Sequence, residues 1–335
     1  MHGARPRKLI LHIGAHKTGT TAIQEYLFAK ADFLEEIGWF LANIPGKPLN
    51  WGNMFRVLRG PRGKGETIFP VNPAVFAGLL SVIDQTRLDV ILSAEDLFFL
   101  NEEGIADFAP ALTQRFDEIT VVAYLRRQDK MALSQWMQGG RTVQSAMVFG
   151  GTAAPFDCMG AEAMGYLDYA SKVEAWAAAL PGARLVLRRY DRALFPNGNV
   201  MEDFLQATGL ILPPESRIID ANRSLGATTV RLVYLLRQAG LFQRPIEAAF
   251  AKGLIPDSKD KVMPSCDQAR AFLDRFADCN ARLARMMGLE QVFDDDLSTY
   301  PEEEIFPPLD PSLVQSTLLQ LYVEAVRIND PQEVK

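Results

Sequence analysis

The stretch Leu9–Leu27, LILHIGAHKTGTTAIQEYL, decides the fold. Its first residues, Leu9 to Ile13, are mostly apolar and typical of a buried strand, and a polar turn flanked by glycines follows them. After the turn, Ile23 and Leu27 have the spacing of one helix face. A strand, a tight loop and a helix in this order form an anion cradle, because the first turn of a helix leaves backbone N–H groups without intrahelical partners.

The loop from Gly14 to Thr21 departs from the usual ATP- and GTP-binding loop. That loop reads G-x-x-x-x-G-K-[ST], with a lysine directly after the second glycine. Gly14 and Gly19 have this separation, but Thr20 follows Gly19, and the lysine comes earlier, at Lys17. The position of Lys17 therefore weakens the prediction of an ATP or GTP site.

The segment Lys17 to Thr21, KTGTT, resembles the 5′-phosphosulfate loop of the sulfotransferases, K-[ST]-G-[ST]-[ST], at every position. The resemblance implies 3′-phosphoadenosine 5′-phosphosulfate as donor, adenosine 3′,5′-bisphosphate as its product, and no required metal. It implies that Lys17 stabilises the leaving phosphate, that Gly19 lets the backbone close on the 5′-phosphate, and that Thr20 and Thr21 donate hydroxyls to it. The predicted donor-binding residues of this loop are Gly14, Lys17, Thr18, Gly19, Thr20 and Thr21.

A second motif lies at residues 120–136, TVVAYLRRQDKMALSQW. A β-branched and apolar run ends in Arg126 and Arg127, and a helical pattern follows. The spacing of Arg126 and Ser134 resembles the R-x7-S site with which sulfotransferases bind the donor's 3′-phosphate. An arginine supplies a planar fork for two phosphate oxygens, and a serine supplies a shorter hydroxyl donor. Arg127 is an alternative because adjacent side chains point in opposite directions, but the spacing favours Arg126.

Three further segments resemble bacterial members of the same family. RLVLRRY at 184–190 and DFLQATG at 203–209 resemble a strand and a helix that those members carry after the 3′-phosphate motif, and NRSL at 222–225 resembles their N-x-S-L stretch. The resemblance covers roughly residues 8–240. It implies a bacterial-type sulfotransferase that acts on a hydroxyl or amine of a carbohydrate or other small acceptor.

The general base is predicted to be a carboxylate. The soluble small-molecule sulfotransferases use a histidine well downstream of the first loop, and this chain has only His2, His12 and His16. Other branches use a glutamate, and Glu95 follows an apolar strand at the expected mouth of the site. A partly desolvated carboxylate there accepts the acceptor's proton.

Other assignments remain open for these residues. In one alternative, Glu95 or Asp96 only caps the next helix. In another, Glu25 is the base, although it is a weaker candidate than Glu95. His16, beside Lys17, is predicted to hydrogen-bond the transferring group. The predicted catalytic residues are thus Lys17, Glu95 and His16, and no metal-ligating residues are predicted.

Two other functions are alternatives to a sulfotransferase. A P-loop kinase with a divergent loop would need Mg²⁺ and a dedicated acidic ligand, and neither Asp89 nor Asp96 ends a clear apolar strand in the manner of such enzymes. A nucleotide-binding sensor without catalysis is the other alternative.

The pattern of short apolar runs predicts the fold class. Apolar and polar residues do not strictly alternate in these runs, as expected for parallel strands buried on both faces. The runs lie at 8–13, 88–93, 119–125 and 184–189. They predict a doubly wound, mainly parallel sheet flanked by helices, with ligands at the carboxyl ends of the strands. We predict one α/β domain over 1–335, with a nucleotide-binding core at 8–225 and a helical C-terminal extension at 226–335 packed on it.

The composition of the chain limits its possible binding partners and its expected cellular compartment. A net charge of −6 argues against a general nucleic-acid binder. The three cysteines lie far apart, which indicates neither a disulfide framework nor a zinc site. The apolar run at 9–13 is too short for a signal peptide or a membrane helix, so a cytoplasmic protein is expected. The loop-like segments 43–73 and 139–165 are predicted to serve the acceptor.

Overall fold

The computed structural model describes residues 5–43, 72–213, 225–240, 243–256 and 258–328. These residues form two compact units that alternate along the chain. The first unit lies within Met1–Arg127, Gly165–Ala221 and Ala277–Asp294, and the second within Gln128–Met164, Asn222–Phe276 and Asp295–Lys335. The predicted division into a core at 8–225 and an extension at 226–335 stays a prediction.

The first unit is built on a parallel sheet, which has five strands in the described residues. In chain order they are β1 (Lys8–Gly14), β2 (Trp39–Leu41), β3 (Asp89–Ser93), β4 (Glu118–Leu125) and β5 (Arg184–Arg189). The spatial order is β2-β3-β1-β4-β5, and Ile10 of β1 lies beside Ile91 of β3 and Thr120 of β4. The strand order therefore reverses at β1, and in such sheets ligands bind at the carboxyl ends of the strands at this point.

The predicted α/β class with a parallel sheet is confirmed. Four of the strands were expected from their apolar runs; three of them differ from the prediction by one residue at one end, and β5 has the predicted bounds. Leu9 and Leu11 are fully buried, and Ile10, which points to the other face, is 4% exposed. Both faces of β1 are covered, which explains why the strand sequence does not alternate.

Helices cover the sheet and make up most of the second unit. In chain order the described helices are α1 (Thr20–Ala29), α2 (Ala31–Glu36), α3 (Pro73–Ile83), α4 (Glu102–Thr113), α5 (Gln128–Gln138), α6 (Val143–Phe149), α7 (Ala161–Leu167), α8 (Tyr169–Ala179), α9 (Val200–Thr208), α10 (Ala227–Gln238), α11 (Gln243–Ala251), α12 (Cys266–Asp274), α13 (Ala277–Met287) and α14 (Pro311–Ile328).

An apolar cluster holds α1 and α9 against one face of the sheet. Ile23 and Leu27 of α1 and Phe204 of α9 are buried with Ile10 and Val122 of the strands. Deep burial of such side chains contributes roughly 1.5–3 kcal/mol each. The loop between β1 and α1 is thus anchored at both ends by core residues.

The second unit is helical in its described residues, apart from an isolated antiparallel bridge between Met263 and Ile305. Trp136 of α5 packs on Tyr234 of α10, with ring centroids 5.5 Å apart. The predicted helical C-terminal part is confirmed. The loop-like prediction for 139–165 is wrong for Val143–Phe149 and for 161–165, because both segments form helical turns, α6 and the start of α7.

Candidate functional site

The loop Gly14–Thr21 joins β1 to α1. Gly14, Lys17 and Gly19 have positive φ angles of 99°, 59° and 79°. Glycine adopts positive φ at little cost, whereas a residue with a Cβ does so rarely. The two glycines therefore lie where the turn requires them, and Lys17 shares their left-handed conformation within the loop.

Hydroxyl groups brace this loop from inside. The hydroxyls of Thr18 and Thr20 both donate to the carbonyl of Ala15, at 2.6 and 3.2 Å. The N–H of Ala15 donates to the carbonyl of Tyr124 in β4 at 3.0 Å. Both threonines are buried, whereas Thr21 is half-buried at the first turn of α1. The prediction that Thr20 and Thr21 donate to a phosphate stays a prediction, and the Thr20 hydroxyl in this structure bonds within the loop.

The N-terminus of α1 has neither a capping side chain nor an acidic residue in its first turn. Gly19 occupies the capping position. A Cβ on Gly19 would lie 2.9 Å from Cγ1 of Val200 and 3.3 Å from Cε2 of Tyr190. Close packing as well as backbone conformation therefore requires glycine here, and the partial positive charge of a helix start favours an anion.

Glu95 lies against this loop. A Cβ on Gly14 would be 3.3 Å from both Cα and Cβ of Glu95. Glu95 follows β3, is half-buried, and begins the 3-10 turn Glu95–Phe99. The next helix, α4, is capped instead by Asn101, whose side chain accepts the N–H of Gly104 at 3.0 Å. Capping of α4 is therefore not the role of Glu95 or Asp96.

Protein groups hold the imidazole of His16 on both sides. Its Nδ1 is 3.0 Å from the hydroxyl of Tyr166, and its backbone N–H donates to the same hydroxyl at 3.1 Å. Its Nε2 is 3.6 Å from Oδ1 of Asp96, and Phe99 lies beside the ring, with centroids 4.6 Å apart. This arrangement fixes the ring next to Lys17, and the predicted contact of His16 with a transferring group stays a prediction.

His12 is part of the packed interior beneath the loop. Its Nδ1 is 2.8 Å from the Ser93 hydroxyl, which also accepts a bond from Nε2 of Gln24 at 3.2 Å. Burial lowers the pKa of His12 to about 3. Because this folded-state pKa lies below the usual 6.5, the stability that the neutral ring provides is present above pH 6.5 and is lost as the pH falls towards 3.

Arg126 and Arg127 differ in their surroundings. Arg127 is 4% exposed, and its guanidinium pairs with the Asp294 carboxylate at 2.7 Å. Arg126 is half-buried, and its carbonyl accepts the Tyr169 hydroxyl at 2.9 Å. Arg127 is therefore occupied by a structural ion pair, and the role of Arg126 in anion binding stays a prediction. Ser134 is half-buried on α5 in the second unit, whereas Arg126 belongs to the first, and their pairing stays a prediction.

The structure brings the loop residues, Glu95 and His16 to one edge of the sheet. Glu25, the weaker substitute for the base, lies half-buried further along α1. Tyr166 and Tyr190 were missed from the sequence. Tyr166 is separated from His16 by 150 residues, and no local pattern signals a contact at that distance along the chain. Most of the predicted loop 43–73, and residues 222–224 of NRSL, lie outside the described residues.

Neither a membrane-spanning helix nor a metal-binding cluster occurs in the part of the chain that the structure describes. No helix there is long and apolar enough to cross a membrane. In the same part of the chain, no group of three or more His, Cys, Asp and Glu side chains is placed to hold a metal ion. Cys158, Cys266 and Cys279 are free thiols.

The chain is similar to a protein from Archaeoglobus fulgidus and to a solved structure from Alicyclobacillus acidocaldarius. No protein-family model matches it. It is 29% identical over 228 residues to the uncharacterised A. fulgidus protein. The matched region covers 65% of this chain and 60% of the relative's length. The A. acidocaldarius structure, a sulfotransferase, has a TM-score of 0.40 and 15% sequence identity, over 88% of this chain and 98% of the other.

Proposed function

We propose that the chain is a sulfotransferase that moves a sulfuryl group from 3′-phosphoadenosine 5′-phosphosulfate to a hydroxyl or amine of a carbohydrate or other small acceptor. The observation that carries the proposal is the loop Gly14–Thr21. Its KTGTT sequence resembles the phosphosulfate loop, and it leads into a helix start that carries no acid or side-chain cap. The acceptor class rests on the sequence resemblance alone.

The residues of this loop fit the phosphosulfate end of the donor. The helix start offers backbone N–H groups, and Lys17 adds a full positive charge beside them. The donor, when bound, supplies an activated sulfuryl group on a phosphate leaving group. Lys17 would balance the negative charge that develops on that phosphate, and a preorganised cation at such a place is an effective catalyst because it needs no reorganisation.

Glu95 is the proposed general base. It lies beside Gly14 in a half-buried position, where it can take the proton from an attacking hydroxyl. Asp96, its neighbour, faces His16 at 3.6 Å. This difference favours Glu95 over Asp96 for proton transfer and gives Asp96 a role in holding His16.

Calorimetry with nucleotides tests the donor. We expect adenosine 3′,5′-bisphosphate to bind at micromolar concentration in the presence of EDTA, and ATP to bind far more weakly with or without Mg²⁺. Mg²⁺-dependent binding of ATP without binding of the bisphosphate would instead indicate a kinase with a divergent loop.

Paired carboxylate variants separate an enzyme from a sensor. In an assay with a panel of sugars, Glu95→Gln should lower turnover by about 100-fold or more and leave the affinity for adenosine 3′,5′-bisphosphate unchanged. Asp96→Asn is the matched control and should retain most of the turnover. If Glu95→Gln keeps wild-type turnover, the base is another residue; if the wild type binds the bisphosphate but transfers nothing to the panel, the sensor function gains support.

A further inference from the structure

The outer edge of β5 forms a groove in the first unit, and none of the described residues that line it belongs to the loop Gly14–Thr21. β5 is the last strand of the sheet in the described residues, so one side of it has no neighbouring strand there. A cavity of about 610 Å³ runs along this side. An edge strand presents backbone N–H and C=O groups that another strand can pair with. We call this cavity and its strand the β5 groove.

The two walls of the β5 groove have different chemistry. On one face, the guanidinium groups of Arg184 and Arg188 bond to α9, through the carbonyl of Ala207 at 2.7 Å and the carboxylate of Asp203. The other wall includes Met286 and Leu289 at the end of α13, each 37% exposed. The groove is therefore basic along the strand, where α9 supplies the acceptors Asp203 and Ala207, and apolar along α13.

The charge of the β5 groove is only partly neutralised by its own contacts. Asp203 pairs with Arg188, whereas Arg184 bonds the carbonyl of Ala207 and Arg189 bonds the carbonyl of Val292 at 3.5 Å. Carbonyl oxygens carry no net charge, so two cations remain at the groove in a chain of net charge −6. Pairing of β5 with β5 of a second copy would place arginines beside arginines, which disfavours that occupant.

We propose that the β5 groove binds an extended acidic segment of a partner protein, which adds to β5 as a sixth strand. Strand addition supplies main-chain hydrogen bonds, and alternate side chains supply specificity. Acidic side chains on one face would meet Arg184, and apolar ones on the other would meet Met286 and Leu289. β5 has six residues, so a heptapeptide of about 20 Å matches its length.

Two fluorescein-labelled peptides test this proposal directly. We expect the peptide EVEVEVE to bind the full chain saturably in fluorescence anisotropy and KVKVKVK to bind at least about tenfold more weakly. Equal affinity for the two peptides, or no binding of either, would overturn the proposal. The assay contains no nucleotide, so its outcome is independent of the proposed sulfotransferase activity.

Variants locate the peptide on the molecule. Arg184→Glu and Met286→Glu should each weaken EVEVEVE binding about tenfold, while Arg192→Glu, a charge reversal at an exposed arginine that does not line the groove, should leave it nearly unchanged. Circular dichroism melting checks that all three fold. If Arg192→Glu has the same effect as Arg184→Glu, binding follows net charge and the groove assignment fails.

Hydrogen exchange supplies an independent readout. We expect amides of β5 to exchange faster in the free chain than those of β4, and to become protected when EVEVEVE is added. Strong protection of all β5 amides in the free chain would show that the edge is already covered, and a concentration-dependent dimer with the same protection would assign the edge to a second copy. Either result would overturn the proposal.

Discussion

The helices α1 and α4 both belong to the first unit, but their N-termini are built in opposite ways. Asn101 caps α4 by accepting the N–H of Gly104 at 3.0 Å, and Glu102 and Glu103 occupy its first turn. α1 starts at Gly19 with no capping side chain and no acid in its first turn. Asn101, Glu102 and Glu103 satisfy the partial positive charge at the start of α4, whereas the start of α1 has no such group.

A lysine in the loop before α1 adds to this difference. Lys17 adds a full positive charge next to a helix start that is already electropositive. An anion at this helix start would interact favourably with both charges. The two helix starts thus differ in caps and acids, and the proposed anion site is the one that has neither.

Removal of Lys17 is the change with the largest expected effect. Lys17→Ala should lower kcat about 100- to 1,000-fold, because it removes the cation that balances the leaving phosphate. The KM for the acceptor should change little. Lys30→Ala, at the other end of α1, is the matched control and should be close to wild type in the same steady-state assay. A loss equal in the two variants would contradict the role of Lys17.

Arg126 and Arg127, which follow β4, allow a similar comparison between a proposed anion-binding residue and a structural one. Arg126→Ala should weaken binding of adenosine 3′,5′-bisphosphate by about 2–4 kcal/mol in calorimetry, because a charge-assisted fork is lost. Arg127→Ala should instead lower the melting temperature, since it leaves Asp294 without its ion-pair partner. The prediction fails if the Arg126 variant keeps wild-type affinity, and a loss of affinity in the Arg127 variant alone would move the site to that residue.

Local patterns in the sequence were sufficient for the parts of the site that lie on one continuous segment. The strand Lys8–Gly14, the turn and α1 follow one another directly, and each has its own signal in apolar runs, glycines and helical spacing. β2 has only three residues, too few to form a recognisable pattern. Its parallel pairing with β3 depends on tertiary contacts and not on local preference.

Contacts in the folded chain bear on two assignments that the sequence left open, those of Glu95 and Arg127. The sequence allowed Glu95 either to cap the next helix or to face the site, and the structure removes the first choice because Asn101 holds the cap. Arg127 was the less favoured alternative to Arg126, and its partner in the folded chain is Asp294, far along the sequence. The partner of Arg127 could not be read from spacing, because Asp294 lies 167 residues away and burial of a charge is a property of the folded chain.

A comparison of Gly19 with Gly182 distinguishes the effect of backbone conformation from the effect of close packing. Both have positive φ, 79° and 84°, but a Cβ on Gly19 would lie 2.9 Å from Val200, while one on Gly182 would meet nothing within 4 Å. In urea unfolding, Gly182→Ala should cost about 1–2 kcal/mol from conformation alone. Gly19→Ala should cost more and also weaken adenosine 3′,5′-bisphosphate binding. Equal costs, with nucleotide affinity unchanged in both, would contradict the close packing of the loop.

The smallest effect is expected at the cap of α4, and it tests the comparison from the other side. Asn101→Ala should lower the free energy of unfolding by about 1 kcal/mol, because the N–H of Gly104 loses its side-chain acceptor. It should not create a nucleotide site, since Glu102 and Glu103 still place negative charge at that helix start. The affinity for adenosine 3′,5′-bisphosphate and the number of sites in calorimetry should both match wild type. A second bisphosphate site in this variant would mean that an open cap is sufficient for anion binding and that the absence of acids at α1 has no importance.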